Sequence, residues 1–283
     1  MTLVLGMLIV LASVLGGYVL SQGDLLALWQ PFELLIIGGA ALGSFVVANP
    51  GKVIAGVFKG IPKVIVGNRY KKTLYLEALA LLYELFNKIR RDGLIAIESD
   101  VDEPESSDIF SKYPIVYRDG HIIEFICDYL RIMIVGDMSS YELDNLMDIE
   151  LETHHEEISQ PGHALTKVAD SLPGFGIVAA VLGIVITMKS IGGPPEELGV
   201  HVAAALVGTF LGILLAYGFV APTAQAFEHQ AAEESKFYEC IKTAIIATVN
   251  GMPPQIAVEF GRKTIFSSER PSFTELEERV RMT

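Results

Sequence analysis

A chain of 283 residues in which 51% are hydrophobic, with a mean hydropathy of +0.43, is too apolar for an ordinary water-soluble fold of that length. Its formal net charge of −13 does not suit a nucleic-acid-binding surface, which needs clustered cations. Membrane insertion is the class to test first, because a helix needs about 20 apolar residues to cross roughly 30 Å of hydrocarbon.

The first such stretch runs from Leu3 to Leu20, with only Ser13 and Tyr18 as side-chain polar interruptions. It lacks a basic n-region and an Ala-x-Ala-like cleavage site, so it reads as a retained span rather than a signal peptide. The second, Leu34 to Ala48, is short and gains length from the approach Trp29-Gln30-Pro31-Phe32, with Glu33 at its outer rim. Residues 1–50 thus form one helical pair.

Residues 51–170 carry apolar spacing that is helical rather than alternating, which predicts an all-α domain between the second and third spans. Leu74, Ala78, Leu81, Leu82, Leu85 and Ile89 make one stripe, Glu84 and Lys88 can pair on its outside, and Gly93 supplies a stop. Arg90 and Arg91 stand at that helix's C-terminal end, where cations complement the dipole. A second stripe, Ile122, Ile123, Ile126, Tyr129, Leu130 and Met133, ends at Gly136. Ser139 with Glu142 three residues on reads as a capping box opening a helix through Leu143, Leu146 and Met147.

The third span, Leu172 to Met188, opens behind Asp170 and Ser171. The fourth, Val200 to Val220, holds His201 near its start and Thr209 and Tyr217 inside, so residues 171–222 form a second helical pair. Beyond Pro222 the spacing persists at Phe227, Ala231, Tyr238, Ile241, Ile245 and Val249, so the fourth span is expected to continue as a helix in the tail, 223–283. Gly251, Pro253 and Pro254 end it, and Arg270-Pro271-Ser272 introduces a short charged helix. Buried helices of a large soluble protein are the rival for the four spans, but the polar face such helices keep is missing.

Basic residues stay on the cytoplasmic side. Of the 21 Lys and Arg, thirteen fall in 51–170, seven after 222, Lys189 abuts the third span, and none lies in 22–32. Both large segments are therefore expected in the cytoplasm, and the loops 22–32 and 190–199 outside. Cys127 and Cys240 then sit in a reducing compartment as free thiols.

No span has an Asp, Glu, Lys or Arg at its centre, yet moving protons or cations through hydrocarbon calls for an ionisable side chain there. Either the chain transports nothing, or a partner supplies the group; His201 lies too near the outer end. Gly39 with Gly43, and Gly208 with Gly212, are GxxxG pairs that let helices approach closely. A metal reading of Glu152-Thr153-His154-His155-Glu156-Glu157, with His163 beyond, meets the difficulty that adjacent residues on a helix diverge by about 100°. No Walker loop, nucleophile elbow or HExxH is present, so no enzyme activity is expected.

These residues resemble the MotA family of flagellar motor stator subunits along essentially the whole chain. The third span begins Asp170-Ser-Leu-Pro-Gly-Phe-Gly-Ile-Val-Ala-Ala, and the fourth contains Val207-Gly-Thr-Phe-Leu-Gly-Ile-Leu-Leu-Ala-Tyr-Gly-Phe and ends at Pro222. The tail reads Glu259-Phe-Gly-Arg-Lys-Thr and Ser268-Glu-Arg-Pro-Ser-Phe. The resemblance implies an inner-membrane subunit, five copies around two of a MotB-type partner whose single span brings an aspartate. The third and fourth spans would line the path, with Thr209 near that aspartate, and Pro173 and Pro222 would couple ion passage to movement. Arg90 and Glu98, with Glu150 as a further charged position, would engage the rotor protein FliG. Sodium-driven relatives carry threonine where this chain has Ala180, whose methyl offers no oxygen to a sodium ion, so the translocated ion is expected to be the proton, with no cofactor or metal. The ExbB or TolQ type of proton-driven energiser is the nearer rival, but has three spans; a membrane-bound metallohydrolase using His154, His155 and His163 is the remote one.

Overall fold

Apolar runs punctuated by glycine and proline fold as helices throughout the residues that this computed structural model describes, which are 2–67, 69–136, 138–189, 192 and 195–281, with 189 and 195–198 described by backbone alone. Of the outer loop expected at 190–199, residues 190, 191, 193 and 194 fall outside them, and 195–199 are not loop but the start of a helix. In chain order the helices are α1 (Thr2–Leu20), α2 (Pro31–Ala48), α3 (Gly51–Val66), α4 (Lys72–Asp92), α5 (Glu98–Asp102), α6 (Pro114–Tyr117) and α7 (Gly120–Val135). They continue as α8 (Ser140–Lys189), α9 (Pro195–Leu215), α10 (Ala221–Val249), α11 (Pro254–Thr264) and α12 (Phe273–Arg281). Four helical stretches are long and apolar enough to cross a membrane: Thr2–Leu20, Leu25–Ala48, and parts of Ser140–Met188 and Gly199–Val249.

The third and fourth spans are parts of much longer helices. α8 runs 50 residues without a break, through Pro161 and Pro173. α9 passes through a π-helical turn, Ala216–Val220, straight into α10. In that turn the Ala221 N–H donates to Ala216 O, five residues back. Pro222 follows at once; a proline has no N–H to give to the carbonyl four residues earlier, and the wider turn is one way a helix absorbs that loss.

The contacts divide the chain into two units, 1–67 with 158–230, and 68–157 with 231–283. In the first, Ile37 and Ala41 of α2 pack with Leu172, Ala179 and Ala216. Phe45 packs with Val53 and Val57 of α3 and with Ala164. α1 buries no residue fully. Leu5, Leu8 and Ile9 are more than half exposed, as are Ile177, Val181, Ile184, Val185 and Met188. So much exposed apolar surface is stable against lipid tails or partner spans, not against water.

The second unit has a single core built on α4. Leu74, Ala78, Leu81, Leu82 and Leu85 are inside as their spacing predicts, but so are Tyr75, Glu77, Leu79, Ala80 and Phe86. α4 is thus enclosed on most sides rather than amphipathic. The reason is α11, which covers a second face: a methyl on Gly261 would stand 2.7 Å from Cys240 O and 3.2 Å from Leu79 Cδ2. The tail also caps α4, since the Lys72 N–H donates to Glu269 Oε2 at 3.2 Å and Lys72 Nζ pairs with Glu275 at 2.9 Å.

The stops and caps expected from sequence form. Gly93 and Gly136 take φ of +89° and +85°, a region open to glycine, and their N–H groups close onto Ile89 O and Ile132 O. Ser139 and Glu142 cap each other through Ser139 N–H to Glu142 Oε2 (2.8 Å) and Glu142 N–H to Ser139 Oγ (3.3 Å). Ser272 and Glu275 repeat the device at α12. Leu146, expected inside with Leu143 and Met147, is 37% exposed, because only the i, i+4 pair faces the core. Cys127 and Cys240 are free and buried; burial pushes the Cys127 thiol up to about 12 and that of Cys240 further.

Candidate functional site

Spans three and four meet backbone to backbone. A methyl on Gly176 would stand 2.9 Å from Gly208 O and 3.4 Å from Thr209 Cα, and one on Gly212 would stand 2.7 Å from Leu172 O. A methyl on Gly208 would lie 3.3 Å from Ala180 N, and Gly183 abuts Ala205 in the same way. The Gly208/Gly212 pair therefore packs within this chain, whereas among the described residues Gly39 and Gly43 have nothing within 4 Å of where a side chain would begin.

This packing brings Ala180 and Thr209 to neighbouring positions on the two spans, each half-buried. Thr187 and Thr223 donate their hydroxyls to Gly183 O and Phe219 O, four residues back in their own helices. Thr209 makes no such bond among the described residues, so its hydroxyl remains available to another group. Pro173 is half-buried next to Leu172, whose carbonyl faces Gly212. Pro222, also half-buried, lies ten residues beyond Gly212, or about 15 Å along the helix at 1.5 Å per residue. The two prolines therefore stand at different depths of the helix pair.

In the other unit, Arg90 in the last turn of α4 and Glu98 at the start of α5 are exposed on either side of the Gly93 turn. Neither forms an ion pair among the described residues. Between them a buried network fixes the turn. Lys88 Nζ meets Asp100 Oδ2 at 2.6 Å, and Ser107 Oγ donates to Asp100 Oδ1 at 2.6 Å. Asp100 is only 7% exposed. The Glu84–Lys88 pair expected on the outside of α4 does not form. Glu84 instead accepts from Lys112 and from the Tyr113 hydroxyl, because tertiary partners compete successfully with an i, i+4 contact worth a few tenths of a kcal/mol.

Glu150 is exposed on α8 and accepts a hydrogen bond from the Tyr129 hydroxyl. Burial, and then this carboxylate, push the Tyr129 hydroxyl pKa up. Glu150 lines a cavity of about 190 Å³ with Glu124, Asp128, His121, His154 and Tyr238. Arg90 and Glu98 do not line it. Their turn instead borders an apolar recess formed by Ile89, Leu94, Met133, Leu143 and Val249, so the structure does not gather the three charged positions into one cluster.

His154 and His155 link α8 to α10. His154 Nε2 lies 3.1 Å from Glu234 Oε1 with its ring edge-on to Tyr238, and His155 hydrogen-bonds with Ser235 Oγ at 2.7 Å. His163 is exposed in the other unit. Among the described residues no three His, Cys, Asp or Glu side chains are grouped to hold a metal ion. Lys242, which no sequence motif marks, bridges Asp144 and Asp148 at 2.7 and 2.6 Å, and Arg262 of the tail motif bonds Glu259 and Pro271 O. Burial alone would lower the Lys242 ammonium pKa, but the two aspartates outweigh it and hold it raised.

The profile described as Motility protein A N-terminal matches residues 4–93, and that of the MotA/TolQ/ExbB proton channel family matches 119–240. Motility protein A of Salmonella typhimurium is 50% identical over 281 residues, 99% of this chain and 95% of that protein. Chemotaxis protein LafT of Vibrio parahaemolyticus is 41% identical over 96% of each chain. Among solved structures, C. jejuni MotAB superposes with a TM-score of 0.79 at 23% identity, covering 96% of this chain and 98% of that one. The MotAB stator complex of Bacillus subtilis gives 0.68 at 22% identity, covering 90% and 92%. With half its residues shared along nearly the full length of a known member, the chain belongs to the motility protein A family.

Proposed function

We propose that this chain is the torque-generating stator subunit of a flagellar motor, working with a MotB-type partner to turn proton flow into rotation. The observation that carries this is the Gly176–Gly212 contact, which holds Ala180 and Thr209 side by side in a pair of spans with no ionisable residue at its centre. Such a pair cannot move protons alone. A partner span bearing one carboxylate would complete it, with the unbonded Thr209 hydroxyl as its nearest polar group. The broad exposed apolar face of the third span, from Ile177 to Met188, gives that partner helix a place to lie.

By its likeness to the family, the assembly has five copies of the chain around two of the partner in the bacterial inner membrane. The basic residues of 51–170 and of the tail support a cytoplasmic position for both segments. There Arg90, Glu98 and Glu150 meet the rotor protein FliG through ion pairs that form and break, each worth about 0 to 1 kcal/mol. Pro173 and Pro222 are the bends through which protonation of the partner carboxylate moves the cytoplasmic helices, with no covalent chemistry and no cofactor. The proton rather than sodium is the ion, because Ala180 offers no oxygen ligand. The test is swimming speed in sodium-free medium at constant proton-motive force. Unchanged speed is expected; arrest would overturn proton drive. The ExbB or TolQ type of energiser is disfavoured by the α1–α2 pair and the long tail.

A further inference from the structure

α3 follows the second span after only Asn49 and Pro50, and two residues reach at most about 7 Å. Its start therefore lies within the headgroup layer, the few ångströms between hydrocarbon and water. Gly56 abuts Pro161 of α8, while Gly60, one turn on, abuts Phe227 of α10, so α3 packs against both helices. Val53, Val57 and Val64 face the protein and are buried.

The rest of its circumference has two distinct sides. At 100° per residue, Phe58 and Ile65 fall within about 20° of each other, and Lys52, Lys59 and Lys63 within about 40°, roughly 130° further round. Phe58 is 60% exposed and Val66, between the two sides, 82%. Lys59 and Lys63 are exposed, and 51–66 contains no Asp or Glu in a chain whose net charge is −13. An apolar strip beside a purely cationic one, on a helix beginning at the membrane surface, is the pattern of an interfacial helix that holds anionic lipid.

We propose that α3 binds acidic phospholipid, with Phe58 and Ile65 entering the acyl boundary and Lys59 and Lys63 meeting the phosphates. The probe is the complex of the full chain with its partner, carrying Trp29→Phe and Phe58→Trp, in bilayers containing brominated phosphatidylglycerol or brominated phosphatidylcholine. The same complex with Trp29→Phe alone supplies the background. The expected result is stronger quenching by phosphatidylglycerol, with a preference of about 25-fold at low salt, since each lysine near an anionic surface contributes about five-fold. The preference should vanish in Lys59→Gln/Lys63→Gln, and in the lysine-intact protein it should fall as salt rises. Equal quenching by both lipids would overturn the headgroup assignment. Quenching by neither, as when a neighbouring copy of the chain covers the face, would overturn the proposal altogether.

Discussion

Gly176 and Gly212 touch through their backbones: a methyl on Gly212 would stand 2.9 Å from the Cα of Gly176 and 3.2 Å from its nitrogen. Backbone atoms cannot rotate aside as a side chain can. Gly212→Ala should therefore separate the third and fourth spans at the level of Thr209, at a cost of about 1–3 kcal/mol. Gly39→Ala and Gly43→Ala meet open space in this chain and should leave its fold unchanged. Thermal unfolding of the detergent-solubilised complex, read alongside swimming, distinguishes them: loss of both is expected for Gly212→Ala.

Thr209 should be sensitive to chemistry rather than size. Thr209→Val keeps the shape and removes the hydroxyl, and it should reduce proton flux and motility while the complex assembles at wild-type levels. Thr187→Val is the control, since that hydroxyl bonds only its own helix. Equal motility in the two variants would show that the Thr209 hydroxyl has no part in the path.

Around the Gly93 turn, exposed and buried charges should behave oppositely. Arg90→Glu or Glu98→Lys should reduce torque while changing stability by less than about 0.5 kcal/mol, as exposed substitutions do. Lys88→Met leaves Asp100 buried without its cation and should cost about 3 kcal/mol. Membrane-fraction abundance separates the effects: normal for the first two variants, reduced for the third.

The latch between α4 and α12 gives a pH dependence. The hydrogen bond from Lys72, and then Ser272, lowers the Glu275 carboxyl from its ordinary 4.5 to about 2. A carboxyl whose folded pKa is depressed adds stability above its unfolded value and loses it as pH falls through the folded one. Amide exchange in 273–281 should thus accelerate, relative to Glu275→Gln, as pH drops from about 4.5 to 2. At neutral pH the variant should exchange faster than wild type.

The spans and the stops were legible because their signals are local: a run of apolar residues, a glycine at positive φ, and Ser139 with Glu142 three residues apart. Lys88 shows where locality ends. Its sequence neighbour Glu84 is available, but its partner is Asp100, delivered by the Gly93 turn, which pattern alone does not place. Gly208 and Gly39 carry the same motif, yet among the described residues Gly208 meets a facing helix and Gly39 meets nothing. The closure of α11 over α4 depends on Gly261 meeting Leu79, a contact 182 positions apart that no periodicity records. Of the candidate site, Ala180 and Thr209 were readable as types, but their adjacency follows from the glycine packing.

A stator subunit generates torque and does not build the flagellum. Deleting this chain and tethering cells by their filaments tests that role most directly. Assembled filaments, cell bodies that do not rotate, and rotation restored by re-expression of the wild-type chain are expected. Normal rotation of the deletion strain with no second stator present would contradict that role.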